Sequence, residues 1–231
     1  MEIEVAIKES EWWQRATAMP DRHFDPDAGI SLADHLEAVR RNLARLLLDE
    51  PPTEDYVTQL RQRLASLRLS PAGLHGVLTP VALLHDIGKT IEDREQEIEH
   101  PLTGKPVPKR HPVVGVMAAL QLLPEAFHAR STILALIEEH STPYAWFVQS
   151  RRTGQIPSFR AWARLDQKID ASANGMGILL LSLFKLADID GHENLEDVPW
   201  FIVQANERLL RQKGRPLPVP DADILRRISS L

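Results

Sequence analysis

The stretch Leu83-Leu84-His85-Asp86-Ile87-Gly88-Lys89 decides how this chain is read. Apolar or small residues from Val81 onward lead into it, so the His85-Asp86 pair emerges from a buried helix. Thr79-Pro80 predicts the start of that helix, as N-cap and N1 proline, and Gly88 predicts its stop. A carboxylate in a last helical turn faces the negative end of the helix dipole, which is mildly unfavourable. A bound cation reverses the sign of the local field and makes the same carboxylate favourable. His85 and Asp86 are therefore candidate metal ligands.

Working outward, other chemistry-bearing residues sit on buried-looking faces. Ser31, with Asp34 three residues on, is a capping-box variant. Leu32, His35, Leu36, Val39, Leu43 and Leu46 then recur at helical spacing, which puts His35 on the apolar stripe. Asp188 follows Leu181 by seven residues and Phe184 by four. A carboxylate on such a face must be paired, protonated or metal-bound, and a buried salt bridge is its alternative. His111 precedes Pro112 at a predicted helix start, and His140 ends a helix carrying Ile133, Leu136 and Ile137. Each of these two is read as a metal ligand, a substrate contact or a plain helix-end cap. Lys89 is either a point charge for a substrate phosphate or a solvated residue beyond the helix.

Composition narrows the chemistry. The chain has 231 residues, 43% hydrophobic and 26% charged, the balance of a soluble globular protein. Its net charge of -5 argues against bulk coating of nucleic acid, although a local basic groove stays open. Cysteine is absent, which excludes disulfides, thiolate zinc sites, iron–sulfur clusters and cysteine nucleophiles. Any metal must be held by His, Asp, Glu or backbone oxygen, and there are nine histidines. The first fifteen residues lack the apolar core of a signal peptide. The most apolar stretch, 177–187, is broken by Ser182 and Lys185 and is too short to span a bilayer. The expectation is a cytoplasmic protein with no membrane partner.

Helical periodicity dominates elsewhere. Helices are expected at about 53–67, broken at Ser70-Pro71-Ala72-Gly73, and at 111–123, 127–140, 159–173, 177–190 and 199–212, with a last one starting at Asp221. Residues 92–110 read as a long functional loop, and 90–99 as a solvated acidic face. Residues 151–158 read as a loop, and only 1–7 look strand-like. The prediction is an all-α single domain over 1–231, with its motif-bearing core at about 31–191 and a helical extension at 199–231. His23, His75, His100, His128 and His192 have polar surroundings and are read as surface residues. The segment 144–168 is locally basic and aromatic. It is either a nucleotide or single-strand surface or an amphipathic helix with its aromatics in the core. Arg151 and Arg152 are the preferred substrate contacts there, and Lys105, Lys109 and Arg110 are placed to line the same mouth.

The order His35, His85-Asp86, His111, His140, Asp188 resembles the H…HD…H…H…D signature of the HD superfamily of metal-dependent phosphohydrolases, over roughly residues 32–191. The resemblance implies an all-helical HD bundle. It implies one ion held by His35, His85, Asp86 and Asp188, and a second held by His111 and His140 with Asp86 bridging. Two such ions would assist hydrolysis of a phosphoester, with Asp86 and Lys89 as the catalytic residues. Mixed imidazole and carboxylate donors suit Mn, Fe, Co, Ni or Zn better than Mg alone.

No Gly-Tyr-Pro extension and no paired acidic residues after the central motif are present, so the cyclic-di-GMP and (p)ppGpp subgroups do not fit. The small size and the Leu186-Ala187-Asp188 setting look more like HD domains attached to RNA-processing enzymes. The substrate class implied is a nucleotide or an RNA or DNA end: a 2′,3′-cyclic phosphate, a 2′-phosphate or a nucleoside monophosphate. A single-strand-specific nuclease and a non-catalytic nucleotide-binding module are the rivals. P-loop, dinucleotide-binding and serine-hydrolase motifs are missing.

Overall fold

A computed structural model describes residues 2–21, 29–48, 55–189 and 195–229. The described residues form an all-α bundle with one short hairpin. The helices are α1 (Glu2–Lys8), α2 (Glu11–Ala18), α3 (Leu32–Leu47), α4 (Asp55–Ser66), α5 (Pro71–Leu84), α6 (His111–Leu122), α7 (Arg130–Glu139), α8 (Thr142–Thr153), α9 (Phe159–Ile169), α10 (Met176–Ala187), α11 (Asp197–Ala205) and α12 (Ala222–Ile228). A short 3-10 helix, Ile87–Ile91, follows α5, and a π-helical turn, Asn206–Leu210, follows α11. No single described helix is long and apolar enough to cross a membrane.

α10 is the central helix. Residues 177–187 are all buried, as expected for a helix that is apolar on every side. α3, α5, α7, α9 and α11 pack around it. Asp166 of α9 caps its start, accepting from the backbone N–H of Gly175 at 2.8 Å and of Ile178 at 3.0 Å. The Ser31 capping box on α3 forms as predicted, with Ser31 and Asp34 bonding each other's backbone N–H. The C-terminal part returns to α3 and α4. Arg45 donates to the carbonyls of Ile228 and Ser229, and Tyr56 to that of Pro218.

Several sequence expectations are corrected. α5 begins at Pro71, where Ser70 caps it by accepting from the Gly73 N–H, so Ser70-Pro71-Ala72-Gly73 starts a helix and Pro80 lies inside it. Within the stretch 1–7 expected as a strand, residues 2–7 are helical, because α1 covers Glu2–Lys8 with its acids in the first turn and its lysine in the last. Pro143 opens α8, so 151–158 is not simply a loop. Arg151 and Arg152 form the last turn of α8, and Gly154 follows in the left-handed conformation at φ 69°. Residues 92–110 hold an antiparallel hairpin, β1 (Asp93–Glu99) and β2 (Pro106–Lys109), paired from Asp93↔Lys109 to Glu99↔Pro106. Both of its strands are largely exposed, so it carries no alternating apolar pattern to read. The helix expected at 177–190 ends at Ala187, with Asp188 as its C-cap, and His23 and His192 lie outside the described residues.

The aromatic segment divides between its two readings. Trp146 meets Trp162 edge-on at 4.8 Å, Trp162 meets Phe201 at 5.0 Å and Phe147 meets Trp200 at 5.7 Å. These rings pin α8, α9 and α11 together as core. Tyr144 and Phe159 stay exposed, at 56% and 51%.

Candidate metal centre

The bundle brings all six predicted ligands to one place. His35 comes from the inner face of α3, His85 from the C-cap of α5, and Asp86 from the turn after it. His111 starts α6, His140 ends α7, and Asp188 caps α10. His35, His85, Asp86, His140 and Asp188 are buried, and His111 is half-buried.

The two oxygens of Asp86 face different partners. Oδ2 lies 3.5 Å from His85 Nε2 and 3.9 Å from His35 Nε2. Oδ1 lies 3.2 Å from His140 Nε2 and 3.5 Å from His111 Nε2. Asp188 Oδ1 completes the first group, 3.4 Å from His85 Nε2 and 3.6 Å from His35 Nε2. Two clusters with metal-ligand spacing result, His35–His85–Asp86 and Asp86–His111–His140, with Asp86 common to both. Donor atoms bound to one ion at about 2.0–2.2 Å necessarily sit about 3–3.5 Å apart, longer than a good hydrogen bond.

The histidine tautomers point the same way. His85 Nδ1 lies 3.1 Å from the Ala82 carbonyl, and His140 Nδ1 lies 2.7 Å from that of Ile137. His111 Nδ1 lies 2.8 Å from Glu92 Oε2. Those oxygens only accept, so each Nδ1 carries the proton and each Nε2 lone pair is left for the cluster. His85 Nε2 and Asp86 Oδ1 are buried and make no hydrogen bond of good geometry, which is costly unless a cation satisfies them. The clustered His and Asp donors fit a divalent metal.

The surrounding charges agree with that role. Burial, helped by the charge of His85, lowers the pKa of His35 to about 4. Burial likewise lowers that of His111 to about 4. For Asp86, burial favours the neutral form, but His85, Lys89 and His140 outweigh it and hold the carboxyl well below its ordinary range. Burial disfavours charge on His85 too, yet Asp86 and Asp188 hold its pKa above the ordinary value. The centre thus keeps Asp86 ionised and His35 and His111 neutral at pH 7, the protonation a metal requires.

This has a consequence for the metal-stripped protein. His35 and His111 titrate near 6.5 when unfolded and near 4 when folded. Between those values the unfolded chain binds more protons, so stability falls as the pH drops. His85, whose folded pKa is raised, has its full contribution below its unfolded value of 6.5 and adds no slope in this window. The midpoint of thermal unfolding in chelator is expected to fall steadily from pH 6.5 to pH 4. A flat or rising midpoint would contradict the assignment of neutral imidazoles.

Sequence reasoning missed the shell behind the ligands. Glu92 is part of no solvated face: its carboxylate accepts from both the ring and the backbone N–H of His111. Asp21 is buried with Oδ2 3.7 Å from His35 Nδ1. Lys185 is buried, and its ammonium lies 2.7 Å from Asp188 Oδ2. Asp188 therefore has both environments considered for it, an ion pair at one oxygen and imidazoles at the other. Asn42 of α3 donates to the Ala187 carbonyl at 3.0 Å and fixes the end of α10 beside His35. Removing Glu92 (Glu92→Ala) is expected to weaken metal binding at His111 and His140 by about 10- to 100-fold, read by calorimetric metal titration. Unchanged affinity would mean that Glu92 does not orient the ring.

The expected substrate contacts are placed unevenly. Lys89 Nζ lies 2.6 Å from Asp86 Oδ2, so its charge serves the carboxylate. Arg110 is exposed and immediately precedes His111. Arg151 and Arg152 are exposed at the far end of α8, about 16 Å along the helix axis from His140. Lys105 is exposed, and Lys109 donates to Gln96 within the hairpin. His128 is exposed and His75 half-buried. His100, expected at the surface, is 6% exposed, with Nε2 3.3 Å from Glu138. The hairpin turn folds it against the end of α7.

Fold and site together define a helical bundle built around a His-Asp dipeptide and its surrounding imidazoles and carboxylates. Residues 77–189 match the family model of the HD domain. The chain carries an HD domain, the hallmark of a superfamily of metal-dependent phosphohydrolases. The matched stretch contains His85, Asp86, His111, His140 and Asp188 but begins after His35, which joins the cluster by geometry. No curated protein and no solved structure matches the chain significantly.

Proposed function

We propose that the protein is a phosphohydrolase acting on a phosphoester of a nucleotide or an RNA end, of the 2′,3′-cyclic phosphate, 2′-phosphate or nucleoside monophosphate class. The observation that carries this reading is Asp86, whose two oxygens each face a separate group of imidazoles. In this reading His35, His85, Asp86 and Asp188 hold one divalent ion, and His111 and His140 hold a second that shares Asp86. Bound there, such ions supply an activated water and neutralise phosphoryl oxygens.

The chain's own residues set the stage for this chemistry. The Ala82 and Ile137 carbonyls and Glu92 lock three rings with Nε2 inward. Lys89 and Lys185 each balance one carboxylate, so the donor set is held ready without a large excess of negative charge. Arg110 would meet a substrate phosphate in this reading, supported by its exposure beside His111. The donor set suits Mn, Fe, Co, Ni or Zn. The packing of residues 218–229 on α3 and α4 supports one folding unit over 1–231.

A matrix of metals against substrates tests the proposal. Aryl phosphate mono- and diesters, 2′,3′-cyclic nucleotides, nucleoside monophosphates and dinucleoside polyphosphates would be offered with each metal. Metal-dependent turnover of one phosphoester class is expected. No turnover with any metal, together with no transition metal in the purified protein, would favour a nucleotide-binding module.

A further inference from the structure

Half of the exposed large apolar side chains among the described residues lie between residues 144 and 159: Tyr144, Val148, Ile156 and Phe159. Tyr144 and Phe159 are the two aromatic ones. The neighbouring aromatics Trp146, Phe147 and Trp162 are packed inward, so the fold had the means to bury rings here and left these two in water. Arg151, Arg152, Arg160 and Arg164 are exposed on the same two helices, in a protein of net charge -5. Arg208 lies over the Phe159 ring at 4.8 Å, already stacking a guanidinium on it. Between α8 and the start of α11 lies a cleft of about 460 Å³, lined by Tyr144, Phe147, Val148, Arg151, Arg152 and Glu196. That is in the range of sites that take one small organic unit, about 300–1,000 Å³. The pair Arg151–Glu196, at 3.8 Å, is exposed on both sides and exchanges readily for another anion.

We infer that the α8–α9 face binds single-stranded nucleic acid, seating one nucleoside in the α8 cleft. Rings that stack on any base, interleaved with guanidinium groups, are what an unpaired strand needs and what a compact metabolite does not. α8 begins directly after His140 and is about 18 Å long, so a strand along it has one end near the metal centre. The inference rests on the phosphohydrolase reading for its meaning: the phosphoester attacked would belong to the end of a strand held along α8 and α9.

Fluorescence anisotropy of a labelled oligouridylate of about twelve nucleotides tests it on the full chain. Micromolar or tighter binding is expected at low salt. Arg151→Glu with Arg152→Glu should weaken it at least about ten-fold and lower the slope against log salt by about 1.4, two single-strand phosphate contacts. Tyr144→Ala with Phe159→Ala should also weaken it about ten-fold. Arg226→Glu with Arg227→Glu, the same charge change on α12, should not. All variants change exposed side chains, and their melting curves confirm folding.

No binding by the unmodified protein overturns the inference, as does equal loss in the α12 variant. Arginine-dependent binding to anionic lipid vesicles without oligonucleotide binding also overturns it and assigns the face to a membrane. Metal-dependent hydrolysis of bis(p-nitrophenyl) phosphate by the unmodified protein is scored separately. Hydrolysis without strand binding sinks this inference alone, and strand binding without hydrolysis sinks the catalytic reading alone.

Discussion

Asp86→Asn is expected to lower phosphoester hydrolysis by at least about a thousand-fold while leaving the bundle folded. The amide matches the carboxylate in size, so the packing of the turn is kept. Its chemistry does not match. Asp86 presents Oδ2 to His35 and His85 and Oδ1 to His111 and His140. An amide offers one oxygen and one NH₂, so one of the two groups necessarily meets a donor where it needs an acceptor. The negative charge balanced by Lys89 is lost as well. Metal content per chain should therefore fall for both groups, where a change at Asp188 touches only the first. Elemental analysis and turnover are read on the same preparation. Full activity of Asp86→Asn in chelated buffer restored with Mn would show that the centre lies elsewhere.

The ligands were legible because each announces a cost. His35 and Asp188 interrupt apolar stripes, and a buried polar group on such a face must be accounted for. The same logic fails for the residues behind them. Glu92 sits in the run Ile91-Glu92-Asp93-Arg94-Glu95, where a carboxylate costs nothing, and only the fold shows that it holds His111. By sequence Lys185 only breaks an apolar stretch. In place it is the counter-charge that lets Asp188 be buried. The hairpin leaves no mark in the sequence because its strands are largely exposed, and no apolar alternation is imposed on β1 or β2. Pro80 and Pro143 misled in opposite directions. Ser70, ten residues before Pro80, caps α5, so Pro80 falls inside that helix, whereas Pro143 sits in the first turn of α8 with no side-chain cap before it.

By sequence Gly88 marks a helix stop, and the structure gives it another task. It is absent from the left-handed conformations of this chain. A Cβ built on it would lie 2.1 Å from the His111 carbonyl oxygen and 2.7 Å from the Gly115 N. Both are backbone atoms, so no rotamer change relieves the contact. Gly115 answers from the other side, where a Cβ would lie 3.2 Å from the Leu84 oxygen and 3.3 Å from that of His85. The turn carrying Asp86 and the first turn of α6 thus touch backbone to backbone, and this brings His111 Nε2 to 3.5 Å from Asp86 Oδ1.

Gly88→Ala must push α6 away. The expected cost is about 3 kcal/mol, a fall in melting temperature of about 6–12 °C for a chain of this size. The Asp86–His111–His140 group should lose metal affinity well before His35–His85–Asp86 does, because only the former spans the widened seam. Gly76→Ala is the matched control. It lies in α5 with nothing within 4 Å of its built Cβ, and it should be neutral or stabilising by about 0.5–1 kcal/mol. Calorimetric melting and metal titration of the two variants separate helix propensity from the seam. If Gly88→Ala melts and binds metal like Gly76→Ala, the close approach is not what places His111.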